Sequence, residues 1–161
     1  MRVLFWSAFA AFLVDQASKY VVIHLWQLWR IRVIDVLPPW LNFIYGENRG
    51  INFGLFGDGS NASRYILISL ALVICIGVLV WMRRGRFGIK ERISAGLLIG
   101  GALANVVDRL VYGYVLDFIN NSLPGWNNPF VYNLADVFIF AGAIGLILFA
   151  DDKSKAPKKR Q

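Results

Sequence analysis

A chain of 161 residues that is 57% hydrophobic, rich in Trp, Tyr and Phe and only 17% charged, has the composition of one membrane-embedded domain. A net charge of +7 would suit a nucleic-acid binder, but the cations stand in blocks between apolar runs, which membrane topology already explains. The lone Cys75 excludes a disulfide framework and a thiolate metal site, and reads as a small core residue.

Residues 3–26 are apolar apart from Asp15, Lys19 and a few neutral polar side chains around His24, and form the first expected span. Met1-Arg2 followed by Ala8-Phe9-Ala10 has something of a signal peptide. Cleavage there would put the remaining cationic segments at odds with the charge rule, so the helix is read as retained. Residues 27–64 differ in kind. The stretch 29–36 (WRIRVIDV) alternates polar and apolar residues and predicts a half-exposed strand, ended by Pro38-Pro39. Residues 41–45 predict a second strand and 46–50 a turn. Residues 51–56 (INFGLF) predict a short interfacial helix, and 57–63 a loop. Trp26, Trp29 and Trp40 suit an interfacial aromatic belt, and His24 an interfacial position without chemistry.

The run 65–82 is charge-free and long enough to cross a bilayer. Spans at 93–112 and 130–150 follow, the last interrupted only by Asp136, and 151–161 is a basic tail. Gly96, Gly100 and Gly101 suit close helix packing. The expected fold is an all-α polytopic membrane protein. It has four transmembrane helices, with a small β-sheet and a short interfacial helix on the outer face between helices 1 and 2.

Five cations crowd residues 83–92, five more lie in the tail and Arg2 opens the chain, so eleven of seventeen basic residues fall on one side of a four-span arrangement. The positive-inside rule places both termini and the 83–92 loop in the cytoplasm. Asp15 and Lys19 then lie in the outer half of the first span. Asn105, Asp108 and Arg109 lie near the outer end of the third, with Asp117 just past it, and Asn133 and Asp136 at the outer end of the fourth. Carboxylates at membrane depth are costly and mark function by default. Their agreement in depth predicts one polar site opening to the outer face.

Five segments, taken in order, carry a resemblance: Asp15-Gln16-Ala17-Ser18-Lys19, Glu47-Asn48-Arg49-Gly50, the run from Gly100 through Asn105 to Asp108-Arg109, Val115-Leu116-Asp117-Phe118, and Tyr132-Asn133-Leu134-Ala135-Asp136. Together they resemble the lipoprotein signal peptidases, also called signal peptidase II. The resemblance implies a bacterial inner-membrane aspartyl peptidase. Such an enzyme removes the signal peptide of a prolipoprotein just before its diacylglyceryl-modified cysteine. It implies Asp117 and Asp136 as the catalytic pair and Asn105, Asp108, Arg109 and Asn133 as supporting polar residues. Asp15, Lys19 and Asn48 would form the outer ring of the site. The implied partners are lipid-modified prolipoprotein signal peptides and membrane lipids, with the enzyme a monomer. Departures are Ser18 for a common Thr, Ala104 for a Gly, and Ile51-Asn52 for small residues, the last bearing on the substrate entrance.

The residues lead to the same chemistry. Amide hydrolysis without a nucleophilic side chain needs a base to activate water and an acid for the leaving nitrogen. Two carboxyls in a low-dielectric site share one proton and supply both, titrating as a unit. No cofactor is expected and no metal, since His24 is the only histidine. Asp15 and Lys19, four residues apart, can neutralise each other on one helix face, either as a structural pair or lining the site. Asp108-Arg109 is read as an internal ion pair bracing the third span. The alternative function is a small four-helix transporter that uses the same carboxylates as a proton or cation relay. Against it, the polar residues stop at one depth and no inverted repeat is visible.

Overall fold

The computed structural model describes residues 1–50 and 61–149. The predicted interfacial helix 51–56, most of the 57–63 loop, the Ile51-Asn52 entrance and the basic tail lie outside them. The chain is mostly helical with one small sheet. Helix α1 (Arg2–Lys19) runs on into a π-helical turn (Tyr20–Leu25), where Trp26 N–H reaches Val21 O at 2.9 Å. A short helix α2 (Leu28–Ile31) leads to strands β1 (Val33–Leu37) and β2 (Leu41–Asn48). Helices α3 (Asn61–Arg84) and α4 (Ile89–Val111), strand β3 (Val115–Asn120) and helix α5 (Leu134–Phe149) complete the order.

α3 and α4 are each long and apolar enough to cross a membrane, and α5 is a shorter apolar helix. Their surroundings differ. α4 is packed between α1 and α5, so most of it is buried, whereas α3 leans mainly on α4 and leaves Leu70, Val73 and Ile76 exposed. Apolar surface of that extent suits lipid rather than water. The expected close packing at glycine is present. A Cβ on Gly96 would meet Leu4 O at 2.7 Å, one on Gly100 would strike Ala8 O, and one on Gly101 would meet Ala135 O at 2.5 Å. Gly142 of α5 makes the reciprocal approach to Ser94 O. Below the polar site, Leu98, Ile99, Ala102 and Leu146 form an apolar layer with Leu4, Cys75 and Met82.

The sheet corrects three expectations. It is three-stranded and antiparallel in the order β1-β2-β3, and its third strand comes from beyond α4. Residues 29–31 are helical, so the strand expected over 29–36 begins only at Val33. The turn expected at 46–50 is largely strand, because Gly46, Glu47 and Asn48 pair with Asp117, Leu116 and Val115 of β3. Phe118, Leu116, Val22, Ile23 and Leu28 make a second apolar cluster that seats the sheet on the π-helical turn.

Two helix starts also differ. α3 begins at Asn61 rather than after Ser63, and Arg64 ties this end to α4 by donating to Leu110 O at 3.0 Å. α5 begins four residues later than expected because 128–132 is tied to β3 instead of joining the helix. The Asn120 amide donates to Asn128 O and Phe130 O, both at 2.8 Å, while Tyr132 bridges to Ile119.

Candidate active site

α5 starts at an asparagine with two tasks. Asn133 Oδ1 accepts the Asp136 N–H at 3.0 Å, the bond expected of a helix N-cap. Its Nδ2 donates to Asp117 Oδ1, so one fully buried amide joins the strand carboxylate to the backbone of Asp136. Asn105, on the face of α4 turned to α5, makes the second connection. Its Nδ2 donates to Asp136 Oδ1 at 2.9 Å, and its Oδ1 accepts from Asn133 at 3.3 Å and from Lys19 at 3.4 Å. From the sheet side, Asn48 Nδ2 donates to Asp117 Oδ2 at 3.1 Å. All nine residues singled out in the sequence therefore converge, from α1, β2, α4, β3 and the start of α5.

Asp117 is 2% exposed, while Asp136 is more open. Burial first, and then the neighbouring Asp136, push the Asp117 carboxyl up to about 7, against the amide bonds from Asn48 and Asn133. Two carboxyls this close in a low-dielectric site favour sharing one proton over both being charged. A cleft of about 210 Å³ beside Asp117, lined by Gly46, Glu47, Asn48 and residues 129–131, gives access to it. At its lip Arg49 holds Glu47 at 2.8 Å, and chiefly this hydrogen bond lowers the Glu47 carboxyl below its ordinary value. Among the described residues no group of three His, Cys, Asp or Glu could hold a metal ion.

Two expectations are corrected. Asp15 and Lys19 do not form an exposed outer ring, since they are 0% and 3% exposed. They do pair, at 2.7 Å, and Lys19 makes an equal contact with Asp108, also at 2.7 Å. Asp108 therefore has Lys19 as its ion-pair partner and does not brace the helix with Arg109. Adjacent helical residues point about 100° apart, and Arg109 turns to Asn105 O and Gly50 O, at 3.3 and 3.4 Å. Its guanidinium is near enough to Asp136, Asp117 and Asp108 to feel their charge.

Residues 7–150 match the family described as signal peptidase (SPase) II. The chain belongs to the signal peptidase II family. A lipoprotein signal peptidase of Methylorubrum extorquens (strain PA1) is 37% identical over 92% of this chain and 84% of that protein. One of Methylobacterium radiotolerans is 40% identical over 84% of this chain and 78% of that protein. One of Aeromonas hydrophila subsp. hydrophila is 37% identical over 93% and 90%. A solved bacterial membrane enzyme determined by the in meso method shares the fold, with a TM-score of 0.76, 23% identity, and coverage of 100% of this chain and 96% of that one.

Within this signal peptidase II chain the departures from the family pattern are mild where described. Ser18 Oγ still donates a hydrogen bond, to Asp15 O at 2.7 Å, and Ala104 is fully buried. Sequence reasoning missed Gln16, whose Nε2 donates to Asp108 Oδ1 at 2.8 Å. The signal was available, since Gln16 stands between Asp15 and Lys19. Nothing local marked Asn120, whose task is to shape a loop eight to ten residues away.

Proposed function

We propose that this chain is a membrane-embedded aspartyl endopeptidase that removes the signal peptide of prolipoproteins on the amino side of the diacylglyceryl-modified cysteine. Family membership supports the reaction class. The observation that carries the mechanism is the pair Asp117 and Asp136, tethered through Asn133 and Asn105 beside an open cleft. One carboxylate takes a proton from water as its oxygen adds to the scissile carbonyl. The other, protonated, gives its proton to the leaving nitrogen as the C–N bond breaks. The pair shares these roles, and neither is assigned to one residue.

The enzyme crosses the bacterial inner membrane four times, at about 3–26, 65–82, 93–112 and 130–150, with both termini cytoplasmic and the site at the outer face. It acts as a monomer on lipid-modified precursors and needs no cofactor. Reporter fusions after residue 57 should register the outer side, and fusions after 87 or 155 the cytoplasm. An outer location for residue 87 overturns the orientation. The apolar layer of Leu98, Ile99, Ala102 and Leu146 below the site counts against a transporter, which needs a polar path to the other face.

The deciding test incubates purified protein with a preprotein, with and without the diacylglyceryl group on its cysteine. The lipidated form should be shortened and preferred, because the site lies at head-group depth with lipid alongside. Equal cleavage of both forms counts against that binding mode, and chelators should leave the rate unchanged.

A further inference from the structure

Two buried carboxylates lie outside the proposed acid–base step, and both do the same thing. Asp15 Oδ1 accepts the backbone N–H of Ala135 at 2.8 Å. Asp108 Oδ2 accepts the backbone N–H of Leu116 at 3.1 Å. Ala135 and Leu116 are the residues immediately before Asp136 and Asp117. Between the two carboxylates sits Lys19, whose three N–H donors go to Asp15, Asp108 and Asn105 Oδ1. Gln16 completes Asp108 from the other side. The arrangement brings α1 and α4 to bear on two peptide groups that belong to α5 and β3.

We propose that Asp15, Lys19 and Asp108 are positioning residues, a clamp of two carboxylates around one lysine that fixes the backbone leading into each member of the aspartate pair. A held peptide plane sets the next Cα at 3.8 Å in a defined direction. Pinning Ala135 and Leu116 therefore sets where Asp136 and Asp117 start. Lys19 makes this affordable, since two buried carboxylates without a cation would repel each other and lose their amides. This inference rests on the hydrolytic reading above.

The test compares Lys19→Met with the double variant Lys19→Met/Asp108→Asn. The single change leaves two unneutralised carboxylates. The double restores the original net charge of the cluster, keeps Asp15 on Ala135, and leaves an amide oxygen for Leu116. Lys19→Met should lose about 10²-fold in kcat, the scale set by ångström-level misplacement of catalytic groups, with KM nearly unchanged. The double should recover roughly tenfold, as coupled neighbours do. Hydrogen exchange at the Ala135 and Leu116 amides should accelerate in the single variant and slow again in the double. The milder Asp108→Asn variant gives a second reading, with faster exchange at Leu116 and unchanged exchange at Ala135.

A rise in KM with kcat intact assigns Lys19 to substrate contact and overturns the clamp, as does a double variant no faster than the single one. Amides that stay protected in Lys19→Met overturn it as well. If the unaltered enzyme fails to cleave a lipidated precursor, the hydrolytic reading fails instead, and amide exchange still tests the clamp.

Discussion

Replacing Asp117 or Asp136 by Asn should each abolish cleavage, with losses of about 10²–10⁴-fold or more, because each side chain carries one of two proton transfers that the reaction needs together. The changes should be non-additive, the double variant being about as slow as either single one. Asn keeps the shape of the side chain and is cheaper than a carboxylate at membrane depth, so both proteins should accumulate normally. A near-normal rate for either in a detergent or liposome assay sinks the aspartyl mechanism.

A stability measurement separates this chemistry from misfolding. The folded state holds the Asp117 proton up to about 7, whereas the unfolded carboxyl releases it near its ordinary value of 3.8. The stabilisation that comes with the proton is therefore complete below about 4 and is lost as pH rises through about 7. Wild-type melting temperature should fall across that window more steeply than that of Asp117→Asn, which has no such proton to lose. Parallel curves for the two proteins would show that Asp117 carries no raised titration.

Gly101→Val should be nearly as damaging without touching a titratable group. A Cβ there meets Ala135 O at 2.5 Å and Ile139 Cγ1 at 3.0 Å, and the first of these is backbone, which cannot swing aside. α4 and α5 must separate, and one turn further along α4 Asn105 must stretch its 2.9 Å bond to Asp136. We expect a loss of about 10²-fold in kcat from misplacement, and about 1–3 kcal/mol in stability from overpacking. Gly77→Ala on α3 is the control. A Cβ there meets nothing within 4 Å, so activity should be unchanged and stability should rise by about 0.5–1 kcal/mol from helix propensity. Full activity in Gly101→Val would show that the close α4–α5 approach does not set the geometry of the pair.

The helices were legible because hydropathy and the placement of charge are properties of contiguous residues. α3 and α4 lie within a few residues of their expected bounds for that reason. The convergence of polar residues was legible too, through the common depth that the charge pattern implied for them. What escaped depends on partners distant in sequence. β3 (VLDFIN) is six residues beside a longer helix, and only its pairing with β2 makes it a strand. The residues 46–48 read as a turn for the same reason, since glycine and asparagine suggest one until β3 lies alongside. Asp15 and Lys19 were recognisable as a pair from their spacing, but their burial follows from Asp108, which arrives from another helix. The bonds that Asp15 and Asp108 accept from backbone N–H groups leave no trace in residue types at all, because Ala135 and Leu116 could be almost any residue.

The double task of Asn133 has a consequence for how such a protein is made. Asp117 is in place once β3 joins the sheet, but Asp136 arrives only with the last helix. The side chain that caps that helix is also the one that grips Asp117. Helix initiation and assembly of the carboxylate pair are thus one event. A nascent or half-inserted chain carries its two acids apart, each without the other's influence on its proton. The two acids that the proposed hydrolysis needs are thus brought together only by the last helix of the fold.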